Sequence, residues 1–209
     1  MAKKKQSGRR VEGWKAKAWY TVHAPEAFNT APIGDTISAD TENMIGRVMN
    51  ATLGEINSDY GKQHVKMKFR IDRVAGDAAY TEFIGHELTK DYLRSLVKRR
   101  SSRIDSHVVG TTKDGVRAHL TVTCYTLMAA DSSQIHEIRK RIMARVAAYL
   151  AENDWRTVVD AMVTGGLAKD LMADARAVFP VRRIEVIKSK MLSRAPAPAA
   201  APPAPAVEA

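Results

Sequence analysis

Cations are the residues of this sequence whose number and spacing promise chemistry. Lys3, Lys4, Lys5, Arg9, Arg10, Lys15 and Lys17 crowd the N-terminus against Glu12 alone. Arg94, Lys98, Arg99, Arg100 and Arg103 form a second cluster. Arg139, Lys140, Arg141 and Arg145 form a third, and Arg182, Arg183, Lys188, Lys190 and Arg194 a fourth. Lys66, Lys68 and Arg70 alternate along one further segment. Guanidinium forks and ammonium groups pair with phosphate oxygens and release condensed counterions, so the chemistry implied is polyanion binding. One cluster is also what a solvated face shows. Four, with a basic strand besides, point to anionic contacts on several sides, as a folded RNA offers. The whole chain agrees: 33 Lys and Arg oppose 23 Asp and Glu, a net charge of +10.

Catalytic patterns are missing. There is no GxxxxGK[ST] phosphate loop, no GxGxxG after a strand and no GxSxG elbow. Gly165-Gly166, the lone glycine pair, reads as a helix break. Nothing in the spacing of Asp105 and Asp114, or of Glu82 and Glu87, demands that they converge. The histidines His23, His64, His86, His107, His119 and His136 make no HxxxH or HExxH pairing. Cys124 is the only cysteine, which excludes an internal disulfide and any site built on two thiolates. We therefore expect no enzyme, no metal and no cofactor. Aromatic residues are 6% of the chain, and Phe69 falls on an apolar strand face. Recognition of phosphates and shape is expected, rather than a sheet of base-stacking rings. Trp14, Trp19 and Tyr20 stand where the basic arm meets the body. Base stacking is one role for them; anchoring in the core is the one expected, because large aromatics usually bury.

Something must position these groups. Residues 1–17 are too polar to fold alone and form a basic arm. Residues 195–209, with eight Ala and five Pro, form a low-complexity tail expected to be disordered. Residues 18–194 are expected to form a single α+β domain. In His64–Asp72, Val65, Met67, Phe69 and Ile71 alternate with Lys66, Lys68, Arg70 and Asp72, a strand with one buried and one basic face. Val116–Met128 repeats the pattern and places Cys124 on the apolar face. It follows Ile104–Thr112 through Lys113-Asp114-Gly115, a hairpin signal. Lys17–Val22, Ile45–Leu53, Ala79–Ile84 and Val181–Lys188 are further strands. Thr89 is expected to cap a helix running to about Arg100, with Tyr92, Leu93, Leu96 and Val97 on one face. A longer helix runs from Asp131-Ser132-Ser133 to about Asn153, with Ile135, Ile138, Ile142, Val146 and Tyr149 at helical spacing. Asp154 is expected to cap Trp155–Val163, and Ala168–Val178 makes a short fourth helix ending at Pro180. The sum is α+β with mostly antiparallel pairing, without the βαβ alternation of nucleotide-binding domains.

Several segments also resemble a known family. Lys17–Asn29 (KAWYTVHAPEAFN) resembles the KxWYxVxAPxxFN opening of the small-subunit ribosomal protein family of archaea and eukaryotes written S-three-Ae, or eukaryotic-type S-one. Gly46-Arg47-Val48 followed by Leu53 fits its GRVxExSLxD element, with Asn50 where an acid is usual. His86–Asp91 and Val97-Lys98-Arg99 resemble its DLTRD…VKK segment, and Ile104–His107 with Thr111–Gly115 its next hairpin. Ile138-Arg139-Lys140 matches its QIRKxM helix. Phe179-Pro180 through Lys190-Met191-Leu192 resembles its closing strand. The matches run collinearly over about residues 15–192. The resemblance implies a barrel-like β core flanked by helices. It implies a place on the small-subunit platform, near the 3′ end of the rRNA and the mRNA exit path. It implies contact with rRNA and neighbouring ribosomal proteins, and no catalysis or cofactor.

The expected function is thus that of a structural constituent of the small ribosomal subunit, supporting translation. The cations of the first paragraph are the expected rRNA contacts. The alternative is a free-standing RNA-binding or mRNA-regulating factor. A charged N-terminus without an apolar stretch, and no run of about 18 apolar residues, argue for the cytoplasm and against a membrane partner. No homo-oligomer is expected.

Overall fold

The structure is a computed structural model, and it describes Trp14 and residues 17–194. The expected arm, apart from Trp14 and Lys17, and the expected tail lie outside these residues. The chain divides into two compact units between Ser95 and Leu96.

The first unit opens with β1 (Ala18–His23), β2 (Pro32–Ser38), β3 (Val48–Thr52) and the single-turn helix α1 (Leu53–Asn57). It continues with β4 (Val65–Ala75), β5 (Ala78–Leu88) and helix α2 (Lys90–Leu96). Pairing runs β2-β1-β5-β4-β3, antiparallel except for a short parallel stretch of β1 on β5. The period-two reading of β4 holds: Met67, Phe69 and Ile71 are fully buried. Ile71 packs with Tyr20, Val22, Met44 and Ala79, and Ile33 of β2 and Met49 of β3 join the same core. Phe28, Phe69 and Phe83 meet as tilted and edge-on rings, with centroids 5.6 to 6.0 Å apart.

The two ends of that strand order are brought together by Arg47. Its Nε donates to the Asn43 carbonyl at 3.0 Å. Its Nη1 donates to the Ile37 carbonyl at 2.8 Å and the Thr36 hydroxyl at 3.1 Å, both on β2. Arg47 itself stands next to β3, where its carbonyl accepts from Ile71 at 2.9 Å. One guanidinium thus links the segment entering β3 to β2, two strands that do not pair with each other.

The second unit is a meander, β6 (Arg103–Thr111), β7 (Val116–Thr126) and, after three helices, β8 (Val181–Arg194). Within the unit β6 pairs with β7 and β7 with β8, both antiparallel. The helices are α3 (Ser132–Glu152), α4 (Trp155–Thr164) and α5 (Gly166–Arg176). They cover one sheet face: Ile138, Ile142, Val146 and Leu150 of α3 pack on Ile104, Val108, Leu120, Val122 and Cys124. Losing one such side chain to alanine costs about 2–5 kcal/mol. Gly110 of β6 lets α3 come close, since a Cβ there would lie 2.8 Å from Leu150 Cδ1. Gly165, at φ 79°, ends α4 in the left-handed region, as the glycine pair suggested.

Three expectations need correction. The helix after Thr89 ends at Leu96 rather than near Arg100, and Val97 is 50% exposed. Arg100 sits at φ 58°, which no α-helix contains, so Lys98-Arg99-Arg100 occupy a loop. Asp154 does not cap α4 with its side chain. The hairpin residue Asp114 does so instead, accepting from the Trp155 amide at 3.0 Å. Tyr20 is buried, but Trp14 and Trp19 are 69% and 66% exposed and anchor no core. Strand β2 and helix α1 had no signal in the alternation pattern.

Candidate nucleic-acid interface

The expected cations fall into distinct surroundings. On β4, Lys66 is exposed, but Lys68 donates to Glu87 at 2.7 Å and Arg70 to Glu82 at 2.9 Å, both carboxylates being on β5. Register decides this: β4 and β5 run antiparallel, and the two glutamates stand on the same face as the two cations. Arg94 of α2 is highly exposed and 3.9 Å from Asp91. In the loop after α2, Lys98, Arg99 and Arg100 are exposed and make no ion pair among the described residues. The Ser101 hydroxyl donates to the Lys98 carbonyl at 2.7 Å and fastens this turn.

On α3, the exposed Arg139 donates through Nε to the Asp105 carbonyl of edge strand β6 at 3.1 Å. Lys140 is exposed, Arg141 pairs with Glu137 at 3.0 Å, and Arg145 lies 3.6 Å from Asp174. Exposed pairs of this kind contribute about 0–1 kcal/mol, so a phosphate can displace the carboxylate at small cost. Lys17 is exposed, with its ammonium 5.1 Å above the Trp14 ring. Lys3, Lys4, Lys5, Arg9, Arg10 and Lys15 lie outside the described residues.

The sheet of the second unit turns its other face away from the helices. Register sets this face in rows: Asp105, Thr123 and Glu185; then His107, Thr121 and Lys188; then Val109, His119 and Lys190; then Thr111, Arg117 and Ser193. The first row carries carboxylates, and each has a neighbouring arginine: Arg103 is 3.0 Å from Asp105 and Arg183 is 2.6 Å from Glu185. The other rows carry none, while Arg117, Lys188 and Lys190 make no ion pair among the described residues. Arg182, half-buried, stands where β8 bulges between the partners of Tyr125 and Thr126. Sequence reasoning named Lys188 and Lys190 but missed Arg117, His107 and His119. The signal was available, because Arg117 and His119 occupy the polar positions of the β7 alternation.

None of the described residues assembles three or more His, Cys, Asp or Glu side chains into a metal-binding group. Burial pushes the Cys124 thiol up to about 12, so it offers no nucleophile at neutral pH. The arrangement can bind anions at several places; reading a catalytic site would need nucleophile, base and oxyanion donors converging, and the described residues named above do not converge so.

The profile of the Ribosomal S3Ae family matches residues 5–195. The chain belongs to that family. A protein of Methanosphaerula palustris named small ribosomal subunit protein eS1 is 69% identical over 194 residues, 93% of this chain and 98% of that one. The protein of that name in Methanoculleus marisnigri is 55% identical, over 91% of this chain and 97% of its own. That of Methanothermobacter thermautotrophicus is 39% identical, over 88% and 95%. As an S3Ae-family member the chain is a ribosomal protein rather than an enzyme. Two family segments now have physical roles. In Gly46-Arg47-Val48, Arg47 ties β2 to β3. In the opening segment, Tyr20, Val22 and Phe28 are buried while Trp19 remains in solvent.

Proposed function

We propose that this chain is a structural constituent of the small ribosomal subunit, cytoplasmic with the ribosome, and that it binds small-subunit rRNA through its basic surfaces. One observation carries this reading beyond family membership. The cations of the 98–100 loop, Lys140 on α3, and Arg117, Lys188 and Lys190 on the sheet are held at the surface without carboxylate partners among the described residues. Ammonium and guanidinium groups left uncompensated by their own protein are what phosphate neutralisation requires. None of the described helices is long and apolar enough to cross a membrane. A position on the platform beside the mRNA exit path, among neighbouring ribosomal proteins, is supported by the resemblance of the chain's segments to the family.

The test is charge reversal at the loop. Arg99→Glu with Arg100→Glu should weaken binding to an rRNA fragment and flatten its salt dependence, by about 0.9 in log–log slope for each duplex phosphate no longer neutralised. The doubly substituted chain should also be depleted from small subunits after a high-salt wash. Unchanged binding and stoichiometric incorporation would remove the loop from the interface. Wild-type chain absent from washed particles would make it a free RNA-binding factor instead.

A further inference from the structure

The outward sheet face of the second unit holds an arrangement that charge neutralisation does not require. The His107 and His119 rings stack with centroids 5.8 Å apart and planes 17° from parallel. A nitrogen of the His107 ring lies 3.2 Å from the Thr121 hydroxyl, which orients that ring. Both rings reach the surface: His107 is exposed and His119 half-buried. Val109, cross-strand partner of His119, is 50% exposed. Lys188 and Lys190 follow on β8, opposite Thr121 and His119, and Arg117 lies two residues along β7.

We propose that this face is an RNA contact in its own right, where an unpaired nucleotide stacks its base on the His107–His119 pair while Lys188, Lys190 and Arg117 take the flanking phosphates. The proposal rests on the chain being an rRNA-binding protein and adds a base-stacking platform to it. Same-face neighbours in a sheet stand about 4.8 Å apart across strands and about 6.8 Å apart along them. Rings and ammonium groups therefore share an area suited to one or two nucleotides. An acidic peptide would satisfy the cations equally well, but it has no use for two near-parallel flat rings beside an exposed valine. A base offers a π face to both. Burial, then His107, then Lys188 and Lys190 hold the His119 pKa below the ordinary imidazole value, which disfavours the charged form of this ring. The sequence argued against stacking because the chain is poor in Phe, Tyr and Trp; imidazoles serve the same purpose on single-stranded RNA.

The test uses the full chain with three probes: a short single-stranded RNA, a small-subunit rRNA fragment, and polyglutamate. His119→Ala should weaken the short RNA about tenfold, within the range measured for base–aromatic stacking, with the salt slope unchanged. His119→Phe should keep the affinity, and His107→Ala, at an exposed position, should repeat the tenfold weakening without burdening the fold. Lys188→Gln with Lys190→Gln should lower the salt slope by about 0.7 per lysine. If the wild type binds the rRNA fragment and every one of these variants binds the short RNA as it does, the platform is wrong and the rRNA reading stands. Polyglutamate binding as tightly as the RNA, with the same variants weakened, would assign the face to an acidic protein segment and overturn the proposal. Wild type that binds neither RNA would overturn both readings.

Discussion

Arg100 is held at φ 58°, a region that costs an L-residue about 1–2 kcal/mol. Glycine would relieve that strain and lose about 0.5–1 kcal/mol in chain entropy. Arg100→Gly should therefore raise unfolding stability by up to about 1 kcal/mol in urea titrations while weakening rRNA binding. A variant that gained stability and kept full affinity would show that the guanidinium is idle. Tyr125 presents the opposite case. Its ring is fully buried and its hydroxyl has no hydrogen-bond partner among the described residues. An orphaned hydroxyl of this kind costs about 1–3 kcal/mol. Tyr125→Phe should leave the melting temperature unchanged or raise it, and a clear drop would mean that the hydroxyl is paired in solution. Cys124 couples to pH. Its ordinary value near 9 is raised to about 12 in the fold by burial. Between these values the unfolded chain has released the proton and the folded one has not. Stability should then fall as pH rises from about 9 to 12. A Cys124→Ala variant should lose that part of the slope, measured by denaturant titration at stepped pH.

Strands and helices are joined at a few points where one side chain does what backbone pairing cannot. Arg47 closes the gap between β2 and β3 with hydrogen bonds to Asn43, Thr36 and Ile37. Hydrogen bonds to charged groups contribute about 1.5–3 kcal/mol each when removed singly, and they are not additive. Arg47→Ala should destabilise the first unit by about 2–4 kcal/mol and raise hydrogen exchange in β2 before other strands. Lysine should not rescue it, because a single ammonium lacks the planar fork that reaches several acceptors. Protection of β2 equal to wild type would sink this account. In the second unit the contact is steric. Gly110→Ala would set a methyl 2.8 Å from Leu150 Cδ1 of α3, and overpacking a core in this way costs about 1–3 kcal/mol.

At the scale of the molecule the surplus of ten positive charges becomes a salt effect. If six or more cations meet phosphates, affinity for an rRNA fragment should fall about a thousandfold or more between 50 and 200 mM salt. A shallow slope would leave most of the basic surface uninvolved. The steepness also ranks the clusters. Lys68 and Arg70, already paired on β5, should contribute less to the slope than Lys98, Arg99, Lys188 and Lys190.

Much was legible from local pattern alone. Alternation located β4 and β7, helical spacing located α3, and Asp114-Gly115 located the hairpin that joins β6 to β7, because each signal spans neighbouring residues and answers to a single dihedral preference. Collinear family segments likewise foretold a largely antiparallel β core flanked by helices. Tertiary structure alone decided which cations are neutralised, since the pairs Lys68–Glu87 and Arg70–Glu82 depend on strand register. It alone put the Asp114 carboxylate, rather than that of the N-cap residue Asp154, on the first amide of α4, left two tryptophans exposed, and set His107 against His119. Charge, periodicity and turn chemistry are carried by residues close in the chain; partnership is a matter of which distant residues the pairing of strands brings face to face.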